Sequence, residues 1–258
     1  MRIKTLTWNI GGGKLLDEGS DPTRLASYSK DGLHEIIELL KVENPDVITL
    51  QETQKNDTND QVQTIADALG YSYIHDSTSQ SHIDTDNQLG HAILTRYEIT
   101  DHTRGFFTNP EVAIEWEDGS IVTSFDKGYS TCTLDIKGRP LTVTTLHLIP
   151  FKRFEIDIPS EQSKTILQDV EAKIAGDHSP WLIQGDFNID SNLLKEYLPR
   201  LFDVHTQEIL LQEPTTPKDR KYDHIICRSG NILEHRVISN VLTDHYPVVA
   251  EIEFMPLR

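Results

Sequence analysis

The chain has 258 residues, of which 37% are hydrophobic and 25% are charged, and 41 acidic against 24 basic residues give a formal net charge of −17. This composition is typical of a folded globular protein and excludes a disordered chain. The acidic surplus disfavours a protein that binds nucleic acid through a broad basic face, but it leaves open an enzyme that handles phosphate with a metal ion and a few local basic residues.

The first part of the chain alternates between predicted strands and helices. Residues 2–8 and 46–50 are short apolar runs typical of strands. Hydrophobic residues recur at i, i+3, i+4 and i+7 over 33–40 and again over 62–69, and this spacing predicts two amphipathic helices. Gly70 is expected to end the second helix, because glycine accepts the left-handed conformation at a helix C-terminus.

The rest of the chain is dominated by predicted strands. A third helix is expected to begin at Pro159-Ser160, with its apolar face over 166–174. Asp118-Gly119 and Lys137-Gly138 are predicted hairpin turns. Strands are predicted at 71–75, 89–95, 98–106, 111–116, 121–125, 129–136, 141–147, 181–185, 222–228, 231–238 and 246–253.

Two long polar segments, 11–32 and 76–88, are expected to be surface loops beside the strand ends. The first begins with a Gly-Gly-Gly-Lys run at 11–14, which lacks the complete phosphate-binding P-loop pattern and is expected to be flexible. Because no repeat or linker interrupts the pattern, we predict one mixed α/β domain over 1–258, with helices outside two packed sheets.

The cellular location is inferred from what the sequence lacks. The chain already alternates like a strand from its first residues, so we expect no signal peptide. No apolar run approaches the roughly 20 residues that a membrane-spanning helix needs, so we expect no membrane insertion. Cys132 and Cys227 are isolated within strand-like segments and are expected to be reduced core thiols. We therefore expect a cytoplasmic protein.

Polar residues that can handle metals or protons follow several of the predicted strands. Asn9 ends the first strand, and Glu52 comes directly after the strand at 46–50. Alone, Asn9 would be read as a turn residue and Glu52 as a surface charge. Asp186 and Asn188 follow the strand at 181–185, where residues two apart in an extended chain would point the same way. This Gly-Asp-Phe-Asn segment is more specific than a lone acid.

Histidines and basic residues complete the candidate set. Asp244-His245 precedes the last strand, and Asp223 is a candidate to accept a hydrogen bond from His245 and so to fix its tautomer. His147 ends the strand at 141–147, although a lone histidine there is more often a core residue. Further positions are His91, which begins a strand, and the basic residues Lys152, Arg153, Lys218, Arg220 and Lys221, whose ordinary role would be solvated loop charge.

Taken together, these motifs resemble the endonuclease/exonuclease/phosphatase superfamily, which includes deoxyribonuclease I and exonuclease III-type enzymes. The Asn, Leu-Gln-Glu, Gly-Asp-Phe-Asn and Thr-Asp-His-Tyr-Pro segments occur in the order of that family and span 7–248. The resemblance implies a four-layered α/β sandwich, with two mixed β-sheets packed face to face and flanked by helices. It also implies an active site at one end of the sandwich.

The resemblance further implies a role for each candidate residue. Glu52 matches the principal Mg²⁺ ligand, Asn9 a neighbouring metal or phosphate contact, and Asp244 a second acid near the metal. Asp186 matches the residue that orients or deprotonates the attacking water, and Asn188 a donor to the phosphoryl oxygen. His245 matches the histidine paired with a carboxylate, here Asp223, and His147 a donor to the phosphate or leaving group. His224 departs from the repair nucleases, which places the substrate in question but not the chemistry.

Three functions remain open from the sequence. The first is a phosphodiesterase or nuclease that uses Mg²⁺ or Mn²⁺ to hydrolyse DNA or RNA by in-line attack of water, with Lys152 and Arg153 binding the substrate. The second is a phosphatase or phospholipase-type hydrolase of a small phosphate ester or lipid head group. The third, which the complete residue set disfavours, is a binding module without catalysis.

Overall fold

The computed structural model describes residues 1–115, 119–176 and 180–255, and within them twelve strands form two six-stranded mixed sheets. The first sheet contains, from edge to edge, β15 (Gly230–Val237), β16 (Val248–Phe254), β1 (Arg2–Asn9), β4 (Val47–Lys55), β6 (Gln88–Thr95) and β5 (Ser72–Gln80). The second contains β13 (Thr206–Glu208), β14 (Asp223–Arg228), β12 (Trp181–Asp186), β11 (Pro140–His147), β10 (Gly128–Asp135) and β7 (Glu98–Phe106).

The remaining elements of the described residues are two small hairpins, three α-helices and four short 3-10 helices. The hairpins pair β2 (Lys14–Leu16) with β3 (Tyr28–Asp31), and β8 (Ala113–Glu115) with β9 (Ile121–Thr123). The α-helices are α1 (Leu33–Glu43), α2 (Gln61–Leu69) and α3 (Glu161–Ile174). The 3-10 helices are Gly11–Gly13, Leu25–Ser27, Leu194–Glu196 and Pro199–Leu201.

Three hydrophobic clusters divide the molecule into four layers. The central cluster lies between the sheets and includes Ile93 of the first sheet and Leu182 of the second. A second cluster joins the outer face of the first sheet to α1 and α2, and a third joins the outer face of the second sheet to α3. Central strands such as β12 are therefore buried along their whole length, whereas the edge strands β7 and β15 are largely exposed. The predicted four-layered sandwich is confirmed.

The predicted helix boundaries follow from local capping. The Asp60 side chain accepts hydrogen bonds from the backbone N–H groups of Val62 and Gln63 at the start of α2, and Gly70 ends this helix with a φ of 70°. Ser160 forms a capping box with Ser163 at the start of α3. These contacts satisfy backbone groups that helix ends otherwise leave unpaired.

Parallel pairing determines where the polar strand ends meet. β1 and β4 are parallel neighbours in the first sheet, as are β11 and β12 in the second. Parallel neighbours bring their C-terminal ends to the same edge, so Asn9 lies near Glu52, and His147 lies opposite Asp186 in the register. β14 runs antiparallel to β12 and starts at this edge, where Asp223 is the register partner of Asp186.

Buried polar contacts hold the two sheets in a fixed relation near this end. The Thr5 hydroxyl donates to Gln184 Oε1 at 2.8 Å, and Gln184 Nε2 donates to the Leu6 carbonyl at 3.2 Å. Closer to the strand ends, Gln51 Nε2 donates to Thr145 Oγ1 at 3.0 Å. These side chains are fully buried, and their hydrogen bonds can form only when the two sheets are aligned in this way.

Several sequence predictions for loops are wrong. Part of the segment 11–32 forms the β2–β3 hairpin, and the polar residues 76–80 belong to β5, because they pair with β6. Gly11–Gly13 is a buried 3-10 turn and not a flexible loop, since Asp244, Gln54 and Gln61 occupy the space a Cβ would need. The predicted Lys137-Gly138 turn is confirmed, with φ of 58° and 79°, whereas Trp116 and Asp118 lie outside the described residues.

Two further predictions concern the cysteines and membrane-spanning helices. Cys132 and Cys227 are unpaired and buried, and burial raises the pKa of each thiol to about 12. Among the described residues, every helix is too short or too polar to cross a bilayer.

Candidate active site

Nine of the ten predicted site residues line one cleft of about 610 Å³ at the end of the sandwich. The tenth, Asp223, is fully buried directly behind His245. The nine are Asn9, Glu52, His147, Lys152, Arg153, Asp186, Asn188, Asp244 and His245. The segments that carry them are distant in sequence, so it is the strand order that brings them together.

Glu52 is held in an unusual backbone conformation at the end of β4. Gln51 pairs with His91 of β6 and Thr53 pairs with Gly90, so Glu52 is an extra residue in the ladder, a β-bulge. Its φ is 53°, in the left-handed region that few residues other than glycine adopt. The bulge re-aims the Glu52 side chain into the cleft, where Oε1 lies 3.9 Å from His147 Nε2.

Asp186 lies at the centre of the cleft and accepts two hydrogen bonds. Asn9 Nδ2 donates to its Oδ2 at 3.0 Å, and the Asn188 backbone N–H donates to its Oδ1 at 2.9 Å. Burial raises the pKa of Asp186 to about 7 against the opposing charge of His245, and the charge of Asp223 adds to the rise. A carboxylate with a pKa near 7 is suited to accept a proton at neutral pH.

Asn188 reaches the cleft by a different geometry from the predicted one. The sequence analysis assumed an extended chain, but Asn188 has a φ of 51°, so the segment turns after Asp186. Its side-chain amide donates to the Leu148 carbonyl at 3.0 Å, which fixes the side chain and leaves the second amide hydrogen for another acceptor. The close approach of β12 to β11 requires Gly185, since a Cβ there would lie 2.1 Å from the Leu146 carbonyl oxygen.

The predicted contact between Asp223 and His245 is present. His245 Nδ1 donates to Asp223 Oδ2 at 2.8 Å, and His245 Nε2 lies 3.7 Å from Asp186 Oδ2. Although burial opposes the charged ring, Asp223 and Asp186 raise the pKa of His245 well above its usual value. Both ring nitrogens face carboxylates, as expected for an imidazolium that supplies positive charge.

Beside Asp186 lies His147, whose ring is in the opposite protonation state. Its Nε2 is 3.3 Å from Asp186 Oδ2, and the Lys127 ammonium lies 3.0 Å from both ring nitrogens. Burial and the positive charge of Lys127 hold the pKa of His147 well below its usual value, so the ring is neutral. Two histidines on either side of one carboxylate thus differ in charge because their neighbours differ.

Sequence analysis missed Lys127, a buried cation within the site. Its Nζ lies 3.7 Å from Glu52 Oε1, and burial lowers its pKa to about 8 although Glu52 opposes the shift. Lys127 precedes β10 in the run Asp126-Lys127-Gly128, which looks like an ordinary polar turn. Its proximity to Glu52 arises only when the two sheets pack.

The residues around Glu52 fit a hard divalent cation. Asp244 Oδ1 is buried and has no hydrogen-bond partner in the part of the chain that the structure describes. Burial raises the pKa of Asp244, and the negative charge of Glu52 adds to the rise against His245. Together with Asn9 Oδ1, these carboxylates offer the oxygen ligands that Mg²⁺ and Mn²⁺ prefer. Asp186, Asp223 and His245 also cluster within 4.8 Å, but the hydrogen bond between Asp223 and His245 already uses one atom of each.

Basic residues line the mouth of the cleft. Arg153 is half-buried and close enough to Glu52 and Asp244 for their charges to act on it, whereas Lys152 is exposed. Arg24 and Lys218 lie on other loops that line the cleft, and Arg220 pairs with Asp190, which is outside the cleft. Within the described ranges, neither Lys152, Arg24 nor Lys218 forms an ion pair with a carboxylate.

Some of the remaining candidates lie elsewhere, and some cleft residues were not predicted. His91 is buried behind the site with Nε2 2.8 Å from the Ser130 hydroxyl, and His224 is buried and donates to the Lys221 carbonyl. Lys221 contacts Asn192 outside the cleft. The cleft residues that sequence analysis missed, besides the basic Arg24, include four rings, those of Tyr28, His82, Phe125 and Tyr222. Each is in a loop or at an element end, where the sequence alone does not show that the ring faces the cleft.

Comparison with known proteins finds one family and many similar folds. The model of the Endonuclease/Exonuclease/phosphatase family matches residues 6–245. A comparison with curated proteins finds no significant match.

Solved structures with the same fold cover almost the whole chain. An endonuclease/exonuclease/phosphatase from Beutenbergia cavernae DSM 12333 is 17% identical, with a TM-score of 0.72, over 98% of this chain and 72% of that one. TDP2 of D. rerio complexed with a single-strand DNA product is 15% identical, with a TM-score of 0.63, over 98% and 99%. The mannosyl-6-phosphatase Bt3783 of Bacteroides thetaiotaomicron VPI-5482 is 16% identical, with a TM-score of 0.66, over 98% and 100%. At these identities the similarity establishes the fold.

Proposed function

Because the chain belongs to the endonuclease/exonuclease/phosphatase family, we propose that it hydrolyses phosphate esters with the help of Mg²⁺ or Mn²⁺, as a phosphodiesterase or nuclease acting on DNA or RNA. The observation that carries this proposal is the convergence of nine predicted residues on one cleft, with Asp186 between His147 and His245. We also propose that residues 1–258 form one domain, since the family model spans most of them.

Asp186 is the group that activates water in this proposal. Hydrolysis requires a water oxygen to attack phosphorus while the bond to the leaving oxygen breaks on the opposite side. Asp186 Oδ1 and Oδ2 are fixed by Asn188 and Asn9, so the carboxylate has one orientation. It accepts the proton that the water loses, and its raised pKa favours this transfer.

The remaining residues stabilise the negative charge of the transition state. The His245 imidazolium lies beside Asp186 and is kept charged by Asp223, so it faces the phosphoryl oxygens as a preorganised cation. The Asn188 amide and the neutral His147 ring act as hydrogen-bond partners of the phosphate or the leaving oxygen. When bound at Glu52, Asp244 and Asn9, the divalent cation would neutralise further charge on the phosphoryl oxygens.

Features of the cleft mouth support a single-stranded nucleic acid as the substrate. Tyr28 and Tyr222 offer aromatic surfaces in the same cleft as the basic Lys152 and Arg24. Stacking on aromatic rings combined with positive charge along the backbone is how proteins bind single strands without sequence preference. A structural relative was solved with a single-strand DNA product, which agrees with this choice.

A phosphatase acting on a small phosphate ester is the second candidate. The net charge of −17 repels long polyanions, and a cleft of about 610 Å³ has the size of a small-molecule site. Another structural relative is a mannosyl-6-phosphatase. The sequence-based alternative of a phosphatase or phospholipase-type enzyme therefore keeps specific support.

A matched substrate panel tests the proposal. Purified protein with Mn²⁺ is offered single- and double-stranded DNA, RNA, a 5′-phosphotyrosyl oligonucleotide, mannose 6-phosphate, inositol phosphates and sphingomyelin. We expect the highest kcat/KM on a single-stranded oligonucleotide, with loss of turnover in Asp186→Asn. Turnover of mannose 6-phosphate or inositol phosphates alone would replace the nuclease with the phosphatase. If the protein binds Mn²⁺ but hydrolyses none of them, the catalytic proposal is wrong.

A further inference from the structure

A chain of three side chains, of which His75 and Thr53 are buried, connects the start of helix α2 to the bulge that carries Glu52. His75 Nδ1 lies 2.8 Å from Asp60 Oδ1, and His75 Nε2 lies 2.8 Å from Thr53 Oγ1. A carboxylate accepts, so Nδ1 of the ring donates to Asp60, and Nε2 shares a hydrogen bond with the Thr53 hydroxyl. The His75 side chain is 2% exposed and Thr53 is fully buried. We call this chain the Asp60–His75–Thr53 relay.

The relay crosses the strand β6, which carries two small residues at this level. Thr53 is in β4 and His75 is in β5, with β6 between them. At this level β6 carries Gly90, the register partner of Thr53, and Ala92, the partner of His75. Because these two side chains are absent or small, the His75 ring can lie over β6 and reach the Thr53 hydroxyl.

Other contacts make the far end of the relay rigid. Asp60 Oδ1 also accepts from the Val62 and Gln63 backbone N–H groups, so the carboxylate is fixed by the start of α2. The backbone N–H of Gln54, two residues after Glu52, donates to Gln61 Oε1 at 2.8 Å. The chain that leaves the bulge is therefore tied to α2 at two successive residues, Thr53 and Gln54.

Glu52 itself needs such support. It is a non-glycine residue with a φ of 53°, and a residue in this region persists only when its surroundings fix it. On the preceding side, Gln51 is fixed by its hydrogen bond to Thr145. On the following side, Thr53 pairs with Gly90 of β6, and its hydroxyl is the first side-chain anchor. A relaxed bulge would turn the Glu52 carboxylate away from Asp244 and Asn9.

We propose that the Asp60–His75–Thr53 relay positions Glu52 and thereby sets the affinity of the cleft for a divalent cation. This inference rests on the proposed metal-dependent function, because Glu52 is its principal ligand there. The three residues are positioning residues, since they line no part of the cleft. Outer partners of metal ligands commonly change metal affinity by about 10–100-fold when they are replaced.

The test measures Mn²⁺ binding directly, by the electron paramagnetic resonance signal of free Mn²⁺, without any substrate. Thr53→Val keeps the shape of the side chain and removes the hydroxyl, and we expect the Kd for Mn²⁺ to rise about 10-fold or more. Thr53→Ser restores the hydroxyl and should restore a Kd close to that of the wild-type protein. Thr165→Val is the matched control, because its hydroxyl donates to the Glu161 carbonyl on the exposed side of α3, away from Glu52 and from the relay.

Urea unfolding of each variant separates affinity from stability. The proposal is overturned if Thr53→Val binds Mn²⁺ like the wild-type protein, or if Thr165→Val weakens binding equally. If Thr53→Val no longer unfolds cooperatively, His75→Gln is compared with the same control, and an unchanged Kd overturns the proposal. Wild-type protein that binds no Mn²⁺ would refute the proposed metal dependence, and the relay with it. Wild-type binding that Thr53→Val leaves intact refutes the relay alone.

Discussion

Replacing Asp223 with asparagine should move the pH dependence of hydrolysis. Asp223 Oδ2 accepts the proton-bearing Nδ1 of His245 at 2.8 Å, and Asp223 is among the groups that hold the pKa of His245 well above its usual value. Asparagine has the same shape and can accept the same hydrogen bond, but it carries no charge. The pKa of His245 must therefore fall, and the imidazolium is lost at a lower pH.

The size of the effect follows from the bond that changes. A hydrogen bond to a charged group contributes about 1.5–3 kcal/mol and a neutral one about 0.5–1.5 kcal/mol, so the substitution removes about 1–1.5 kcal/mol, which corresponds to about 5–13-fold in kcat. The assay is kcat from pH 5 to 10 on bis-p-nitrophenyl phosphate with Mn²⁺ in excess. We expect the alkaline limb of the profile to move to lower pH, while KM changes little because the charge acts mainly in the transition state.

Two controls protect this interpretation. Asp203→Asn makes the same substitution at an exposed acid that pairs with Arg228 far from the cleft, and its profile should match that of the wild-type protein. Urea unfolding at each pH confirms that the Asp223→Asn variant is folded. An alkaline limb that stays in place, with kcat within about twofold of the wild-type value, would refute the assigned role of the Asp223–His245 pair.

Three further predictions test other parts of the structure. Lys152→Ala should lower kcat/KM for an oligonucleotide at low salt but not for bis-p-nitrophenyl phosphate, and Lys137→Ala in an exposed turn is the control. Equal losses on both substrates would contradict the role of Lys152 in binding long substrates at the mouth of the cleft. Gly11→Ala should weaken Mn²⁺ binding without unfolding the protein, because the new Cβ would lie 2.6 Å from Asp244 Oδ1; an unchanged Kd would place the metal elsewhere. Burial raises the pKa of Glu208 from 4.5 to about 7, so between these pH values the folded protein keeps Glu208 protonated while the unfolded chain does not, and the free energy of unfolding falls as the pH rises from 4.5 to 7. In urea titrations Glu208→Gln should remove this part of the pH dependence. If the free energy of unfolding of the variant changes with pH as that of the wild-type protein does, Glu208 is not the source.

Hydrophobic periodicity could predict the elements whose buried face is set by their own sequence. α1 and α2 carry one apolar stripe each, and both face the first sheet as expected. The β2–β3 hairpin escaped prediction because its strands are short and it is held in part by a distant contact, in which the Leu16 N–H donates to the Leu242 carbonyl. The polar end of β5 likewise becomes a strand only through its pairing with β6.

The candidate site divides in the same way. Glu52 and Asp186 follow apolar strands, so their position at a common edge could be inferred from sequence. The roles of Lys127 and His75 could not be inferred from sequence, because each depends on a contact with a side chain of another strand. The assumed extended geometry at Asn188 was wrong because the chain turns as soon as β12 ends.

The most direct test of the central claim is hydrolysis of a single-stranded oligonucleotide and of bis-p-nitrophenyl phosphate with and without divalent metal. Wild-type protein is compared with Glu52→Ala and His245→Ala, each shown to be folded by circular dichroism. We expect turnover with Mg²⁺ or Mn²⁺, none with EDTA, and a loss of about 10²–10³ or more in rate for each variant. Turnover that survives EDTA, or variants that keep rates near those of the wild-type protein, would contradict a metal-dependent phosphoesterase site at this end of the sandwich.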